Sequence, residues 1–599
     1  MRRALCCLTI LCGLLAVPAS AQDETAWPHP IPCRIQDSNN PDLFMMTLGD
    51  VETPVAQGVY DPVKDRVTLK DGSVKERYYK EVLELPYYQP IDKTHFPLPP
   101  SGWCTWYYYY PRITAVEVKR NAKWISENLR DYGARYVQID DGWQTPKRDW
   151  TITLKEHFPD GMADVAAYIK SVGLTAGIWL APHGQSNKAV VDANPNVFLR
   201  KADGSLDEDQ RRWEGPFLVD PTTPESLQYM ENLFAILCGW GYDYFKIDGQ
   251  PPVVNEYNQK KSLMKNPSED VIAQYRQTLE SIRKTIGPDR YLLGCWGIPT
   301  EGMGIMNGSR TGGDIVLGWG GFQTALRAVM AYYYQHNIAW YTDPDVMVLR
   351  SPLTVDQARV WATLQGLTGQ ALMATDRMMD LGEERVEMLR RVYPAVDTRP
   401  LDLFPSQRNK RIWDLKVNHL GRQYDVVGLF NFGETTAEQM VVKWADLGLA
   451  ADNPIHVFDF WNKDYLGAWE AGMTVDVAPT SCRVLTLLPS NGQIQLISTN
   501  RHITQGWVDL TELKYDDAAK TYSGKSHVIK NDPYKLRFVF PRDSNFAVKS
   551  VSASSEACDL PTTIANHQGW ATVKIQSGRT TAVTWKVAFE PADIYHYPT

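Results

Sequence analysis

Between residues 101 and 393 short apolar runs alternate with longer amphipathic stretches, and no other feature constrains this chain as strongly. A repeated strand and helix can bury both partners only around a parallel sheet. The apolar runs lie at 102–108, 136–139, 174–182, 242–248, 291–296, a turn-rich piece near 309–315, 338–342 and 371–374. Helical periodicity fills the gaps, as over 115–131 and near 160–172. Eight such units in about 290 residues predict an α/β architecture, a (β/α)8 TIM barrel, whose usual length is about 250.

The fourth run, from Gly241 to Gly249, ends in a lysine, a carboxylate and a glycine. In a strand, residues i and i+2 share a face, so Tyr244, Lys246 and Asp248 point the same way. At the C-terminal end of a barrel strand that way is the active-site mouth. A cation beside a carboxylate favours its ionised form, so Asp248 reads as a nucleophile or an electrostatic stabiliser held by Lys246. The alternative is an ion pair that only ties down a loop.

Other strand ends carry Trp103 and Trp106, Asp140 and Asp141, Trp179, Cys295 and Trp296, Arg310 and Asp314, and Asp343 and Asp345. Carboxylates among tryptophans suit a sugar: hydroxyls donate to the carboxylates and the apolar ring face stacks on indole. The best glycosidase pair is Asp248 with Asp314, the latter beside Gly312 and Gly313. Here Asp314 is expected against apolar walls that keep it protonated as an acid, and Arg310 to grip a hydroxyl with its planar fork.

Rival chemistries fit poorly. The barrel region holds only His157, His183 and His336, none at ligand spacing with another, so no metal or cofactor is expected. Gly302, Gly304 and Gly308 lack the lysine and hydroxyl partner of a phosphate loop.

The flanks follow a different pattern. Residues 1–21 carry two arginines, an apolar core and Ala19-Ser20-Ala21, the pattern of a leader cut before Gln22, so export to a periplasm or the cell exterior is expected, without a membrane anchor. Without the leader the balance is 60 basic against 70 acidic residues, a formal charge of −10, which leaves no basic surface for nucleic acid. Six widely spaced cysteines remain, Cys33, Cys104, Cys238, Cys295, Cys482 and Cys558, and are expected as free thiols in cores, with isolated bridges the alternative in an oxidising compartment. Residues 22–96 are expected to form an arm or small β layer, ending in prolines before a barrel over 97–393. After it, period-two alternation predicts an antiparallel β-sandwich over 394–490 and a further all-β domain over 491–599, with Val583, Trp585, Val587 and Phe589 on one face.

Six motifs in this order, Gly102-Trp103-Cys104-Thr105-Trp106, Tyr136 to Trp143, Gly177-Ile178-Trp179, Phe245 to Gly249, Arg310-x-x-x-Asp314-Ile315 and Asp343-Pro344-Asp345, resemble the melibiase-type glycoside hydrolases of families 27 and 36. The resemblance covers roughly 100–490. It implies a retaining α-galactosidase-like enzyme acting on terminal α-galactosyl units of oligosaccharides or glycans, with Asp248 as nucleophile and Asp314 as acid/base. It further implies Trp106 and Trp179 at the sugar, Asp140 and Asp141 on the O4 and O6 hydroxyls, and Lys246 and Arg310 on others. Cys295 and Trp296 stand where the family reads the 2-substituent, so N-acetylgalactosamine, another galacto-configured sugar or galactosyl transfer stay open beside galactose. A non-catalytic sugar-binding barrel is the distant alternative. His183 departs from the aromatic common in family 36, whose large N-terminal sandwich is also absent.

Overall fold

In the computed structural model, residues 33–37, 40–49, 54–145, 148–398, 411–449, 453–542, 544 and 546–592 are described; the leader expected at 1–21 lies outside them. The eight parallel barrel strands are β1 Ser101–Cys104, β2 Tyr136–Ile139, β3 Thr175–Leu180, β4 Tyr244–Ile247, β5 Tyr291–Gly294, β6 Gly308–Arg310, β7 Tyr341–Asp343 and β8 Leu372–Ala374. From β1 to β7 each strand pairs with its sequence neighbour, and β8 pairs with β1. The ring closes between β7 and β8, where Ala371 N–H donates to Thr342 O at 3.0 Å.

Three runs are shorter than expected. Strand β1 stops at Cys104 because Trp106 opens a one-turn helix, Trp106–Tyr109. Strand β6 stops at Arg310, and the expected continuation to residue 315 is a turn over the mouth. Strand β7 starts only at Tyr341; Ile338 instead lies past a 3-10 turn, with its carbonyl bound by Ile91 N–H at 2.7 Å.

The barrel floor is aromatic. Tyr136, Tyr244, Tyr291 and Tyr341 point inward at one level, and the Tyr244 and Tyr291 rings stack at 5.1 Å. Phe96 closes the floor from below, edge-on to Tyr291 at 5.2 Å, while its carbonyl accepts from Tyr341 Oη at 2.8 Å. Such ring pairs add about 0.5–1.5 kcal/mol each beyond their area. Outside, the helices begin where side chains can satisfy their first N–H groups: Thr114, Thr223, Asp270 and Thr354 each cap one, the last in a reciprocal capping box with Gln357.

Before the barrel, strands Cys33–Asp37 through Val74–Glu76 form a five-stranded antiparallel sheet. After it comes a five-stranded sheet containing Arg422–Asn431 and Ser481–Pro489, packed on the two-stranded Glu438–Lys443 and Gly472–Val477 around Val427, Trp444 and Leu487. Two four-stranded antiparallel sheets follow and share a core in which Val583, Trp585, Val587 and Phe589 do lie on one buried face. This last unit is held to the barrel by Asp532, which accepts two bonds from Arg391, at 2.6 and 2.9 Å, and one from Tyr132 Oη at 2.9 Å. Cys104, Cys295 and Cys482 are buried free thiols, whereas Cys238 is half-buried and Cys558 exposed.

Glycine 308 tests the barrel packing. A Cβ there would come within 2.3 Å of the Tyr291 hydroxyl and 2.8 Å of the Tyr341 carbonyl. Gly308→Ala should therefore overpack the floor and cost about 1–3 kcal/mol in urea unfolding; an unchanged midpoint would show that the floor yields.

Candidate active site

Strand alternation places Lys246 and then Asp248 inside the barrel mouth, with Phe245 turned outward onto Phe234 at 5.4 Å. The expected partnership between them does not form. Lys246 Nζ donates to Asp140 Oδ2 at 2.9 Å, across β3. One level below, the inward residue of β3 is Gly177, paired with Tyr244, and a Cβ there would crowd the Tyr244 ring at 2.9 Å. Gln138 Nε2 donates to the same Asp140 oxygen at 2.9 Å, and Asp141 N–H to the other at 3.0 Å. Burial would raise the Asp140 carboxyl, but the Lys246 charge and these donors outweigh it and hold it below the usual range.

Asp248 turns instead toward β3. Its Oδ2 accepts from Trp179 Nε1 at 2.9 Å and its Oδ1 from Gly249 N–H at 2.8 Å. Gly249 has φ 74° and starts the helix Gln250–Gln259; a Cβ there would lie 3.0 Å from the Trp213 ring. The nucleophile candidate is thus fixed by a strand end, an indole N–H and a tight turn.

A second carboxylate is less free than expected. Asp141 accepts from Gln144 Nε2 at 2.7 Å on one oxygen and from Arg148 Nη1 at 3.0 Å on the other. The Arg148 guanidinium lies over Trp213 at 4.5 Å and Trp179 at 5.0 Å, a stacked cation–π arrangement. Trp296 meets Trp213 at 4.8 Å, has φ 72° and stays 45% exposed at the rim. Sequence reasoning passed over Arg148 and Trp213. The signal for Arg148 was a buried Asp141 in need of a cation; nothing local marks Trp213, which comes from the long connection between β3 and β4.

On the far side Arg310 is the hub. Its Nη2 donates to Asp345 Oδ2 at 2.8 Å and Gly313 O at 2.9 Å, and Nη1 reaches Cys295 Sγ at 3.5 Å. Asp345 Oδ2 also accepts from Tyr107 Oη at 2.5 Å and Ile315 N–H at 3.1 Å. The fork expected to grip ligand is therefore spent on protein acceptors; only Nε has no protein partner. These bonds hang the 311–315 turn over the mouth.

Asp314 sits on that turn, 3.5 Å from Arg310 Nη1 and with its side chain 61% exposed, so the expected apolar enclosure is not formed. Partial desolvation still pushes its carboxyl up, Arg310 pulls it down, and the charges of Asp345 and Asp248 add to the rise; the net direction is upward. Trp106 is half-buried on the helix past β1, edge-on to Tyr110 at 5.2 Å. His183 faces away, its Nε2 on Thr278 Oγ1 at 2.9 Å, and burial lowers its imidazole to about 3. Among the described residues no group of three His, Cys, Asp or Glu is placed to hold a metal ion.

Known proteins share parts of this sequence and its fold. Residues 115–191 match the family model described as alpha galactosidase A, and residues 417–487 that of the alpha galactosidase C-terminal beta sandwich domain. The chain is 23% identical to a probable alpha-galactosidase of Dictyostelium discoideum over 66% of this chain and 93% of that protein. It is 24% identical to alpha-galactosidase 2 of Arabidopsis thaliana, over 65% and 89%. In fold it is similar to a β-L-arabinopyranosidase of glycoside hydrolase family 27 from Geobacillus stearothermophilus (TM-score 0.51, 18% identity, 66% of this chain and 97% of that one). It is likewise similar to alpha-galactosidase I from Mortierella vinacea (TM-score 0.50, 21% identity, the same coverage). The two family models, matched in order on the barrel and on the sheet that follows it, and the curated relatives make the chain similar to the melibiase-type α-galactosidases among glycoside hydrolases.

Proposed function

We propose that this chain is an exported, retaining exo-α-glycosidase that releases terminal α-galactosyl units from oligosaccharides or glycans. The observation that carries the reading is a pair of unlike carboxylates at the ends of β4 and β6. Asp248 is rigid and oriented by two donors, whereas Asp314 is on a turn and shifted toward its protonated form. Asp248 attacks the anomeric carbon while Asp314 protonates the departing oxygen; the glycosidic bond breaks and a β-linked glycosyl ester forms. Water then attacks that carbon as Asp314 removes its proton, and Asp248 is released with the α-sugar. Such chemistry needs the two carboxyl groups about 5–5.5 Å apart in the substrate complex. Asp140 is the proposed acceptor for a hydroxyl of a galacto-configured ring through Oδ1, which holds a single donor, the Asp141 N–H, while Oδ2 is taken by Lys246 and Gln138.

A second reading keeps this mechanism and changes the sugar. Each oxygen of Asp141 holds one protein donor, Gln144 or Arg148, so its carboxylate is satisfied before any 6-hydroxyl arrives. A pentopyranose of galacto configuration, which has no 6-hydroxyl, would lose less in such a site. Trp296 at the rim favours a small 2-substituent over N-acetyl if it swings inward.

Four measurements test these assignments. Asp248→Ala should abolish turnover, and azide should restore it with an aryl substrate, giving a glycosyl azide of inverted configuration; an inverted azide formed by Asp314→Ala instead would reverse the two roles. Asp314→Ala should keep much of its rate on an activated aryl glycoside but lose about 10²–10⁴-fold on a disaccharide. With the disaccharide the wild type should lose activity as pH rises through the Asp314 range. Because Asp314 is raised and acts protonated, that limb lies above the ordinary carboxylate range, and Asp314→Ala should erase it. Finally, kcat/KM on an aryl α-galactoside should exceed that on the α-glucoside by about tens-fold, because a buried acceptor left without its hydroxyl is costly. Preference for the β-L-arabinopyranoside or the α-N-acetylgalactosaminide would instead select the second sugar class.

A further inference from the structure

Away from the strand ends, the barrel, the following sheet and the last β unit meet around a cavity of about 810 Å³. Its walls include the end of the helix Ala115–Asn128, the helix Glu383–Val392, Phe460 and Trp461, and part of the strand Tyr534–Val539. None of the residues of the candidate active site lines it. The volume is that of a small-molecule site.

Charge in this wall is unbalanced in a particular way. Every acid lining it already holds a cation: Glu127 with Lys123, Asp131 with Arg130, Glu383 with Arg390, Glu384 with Arg359, and Glu387 and Asp532 with Arg391. Four cations are left over. Lys463, Lys530, Lys535 and Arg537 have no carboxylate partner among the described residues. Arg537 is only 3% exposed; its Nη1 donates to Ser498 Oγ at 3.2 Å, and the guanidinium lies 4.7 Å from the Phe458 ring centroid. A buried guanidinium with no anion is unfavourable unless the cavity it borders supplies one.

Independent features point the same way. Burial, then the charge of Arg391, brings the Arg537 guanidinium down to about 9. Burial with Arg537, Lys463 and Lys574 also holds the Lys535 ammonium below the ordinary lysine range. Trp461, with its N–H already donated to Thr363 Oγ1 at 2.9 Å, contributes an aromatic surface, edge-on to Phe460 at 5.0 Å. Unpaired cations next to an indole match a sugar ring that bears an acidic group.

We propose that this cavity is a second saccharide-binding site, selective for sugars carrying a carboxylate or sulfate and separate from the site of hydrolysis. The full chain carrying Asp248→Ala, which removes turnover, is titrated calorimetrically with galacturonate, galactose 6-sulfate, galactose and inorganic sulfate. At least one charged sugar should bind, and which one does identifies the acidic group. Arg537→Gln should weaken that binding at least about tenfold. Lys463→Glu, at an exposed rim position, should weaken it several-fold and leave galactose binding unchanged. Binding of neither charged sugar, binding that survives Lys463→Glu and Arg537→Gln alike, inorganic sulfate binding as tightly as the sugars, or a parallel loss of galactose binding would each overturn the proposal.

Discussion

The Lys246–Asp140 pair spans the barrel interior at 2.9 Å, and the arrangement of the mouth depends on it. A lysine and an aspartate at this depth are each expensive to remove from water, and neither could be kept charged without the other. Just below the pair, β3 offers only Gly177, which leaves room for the Tyr244 ring beneath the two charges. The same strand then supplies Trp179, whose indole N–H fixes Asp248. One strand thus separates two carboxylates by giving the first a cation to meet and the second an indole.

The pattern repeats around the ring. Arg148 answers Asp141, and Arg310 answers Asp345. Buried ion pairs of this kind add little stability over well-packed apolar residues of similar volume. Their consequence is orientation: donors and acceptors are set before a ligand arrives, in a region of low dielectric where they act strongly on developing charge. A mouth filled with leucine and valine could close the barrel equally well, but it could not hold Asp248 and Asp314 in different environments.

Much of this was legible in the residues. The alternation of strand and helix specifies the barrel because each short run has inward and outward faces that only a closed parallel sheet satisfies, and the period of two correctly assigns Lys246, Asp248 and the Val583–Phe589 face. What period two cannot supply is the partner across the barrel. Lys246 and Asp248 share a face, but the cation is claimed by Asp140, which is about a hundred residues earlier in sequence. Trp213 and Arg148 were missed for a related reason. They stand on connections whose return to the mouth is decided by tertiary contacts, the guanidinium of one stacking on the ring of the other. Strand lengths were overestimated where an apolar run continues into a turn, as after Arg310 and before Tyr341.

The contrast between the two candidate catalytic carboxylates follows from how each is attached. Asp248 is clamped: its backbone N–H reaches Leu180 O at 2.8 Å, and both carboxylate oxygens hold donors. Asp314 hangs from bonds made by its neighbours, Gly313 O to Arg310 and Ile315 N–H to Asp345, while its own side chain keeps one long contact of 3.5 Å to Arg310. The flanking glycines are not demanded by space, since a Cβ on Gly313 would meet nothing within 4 Å, nor does either have a positive φ. Their effect is on conformational freedom: they leave the turn less restrained than the strand end it faces. A nucleophile must meet one carbon along one line, whereas an acid/base must serve a departing oxygen and then an incoming water at slightly different places. Rigid attachment for Asp248 and a tethered turn for Asp314 fit those two demands, with Asp345 as the anchor of the turn.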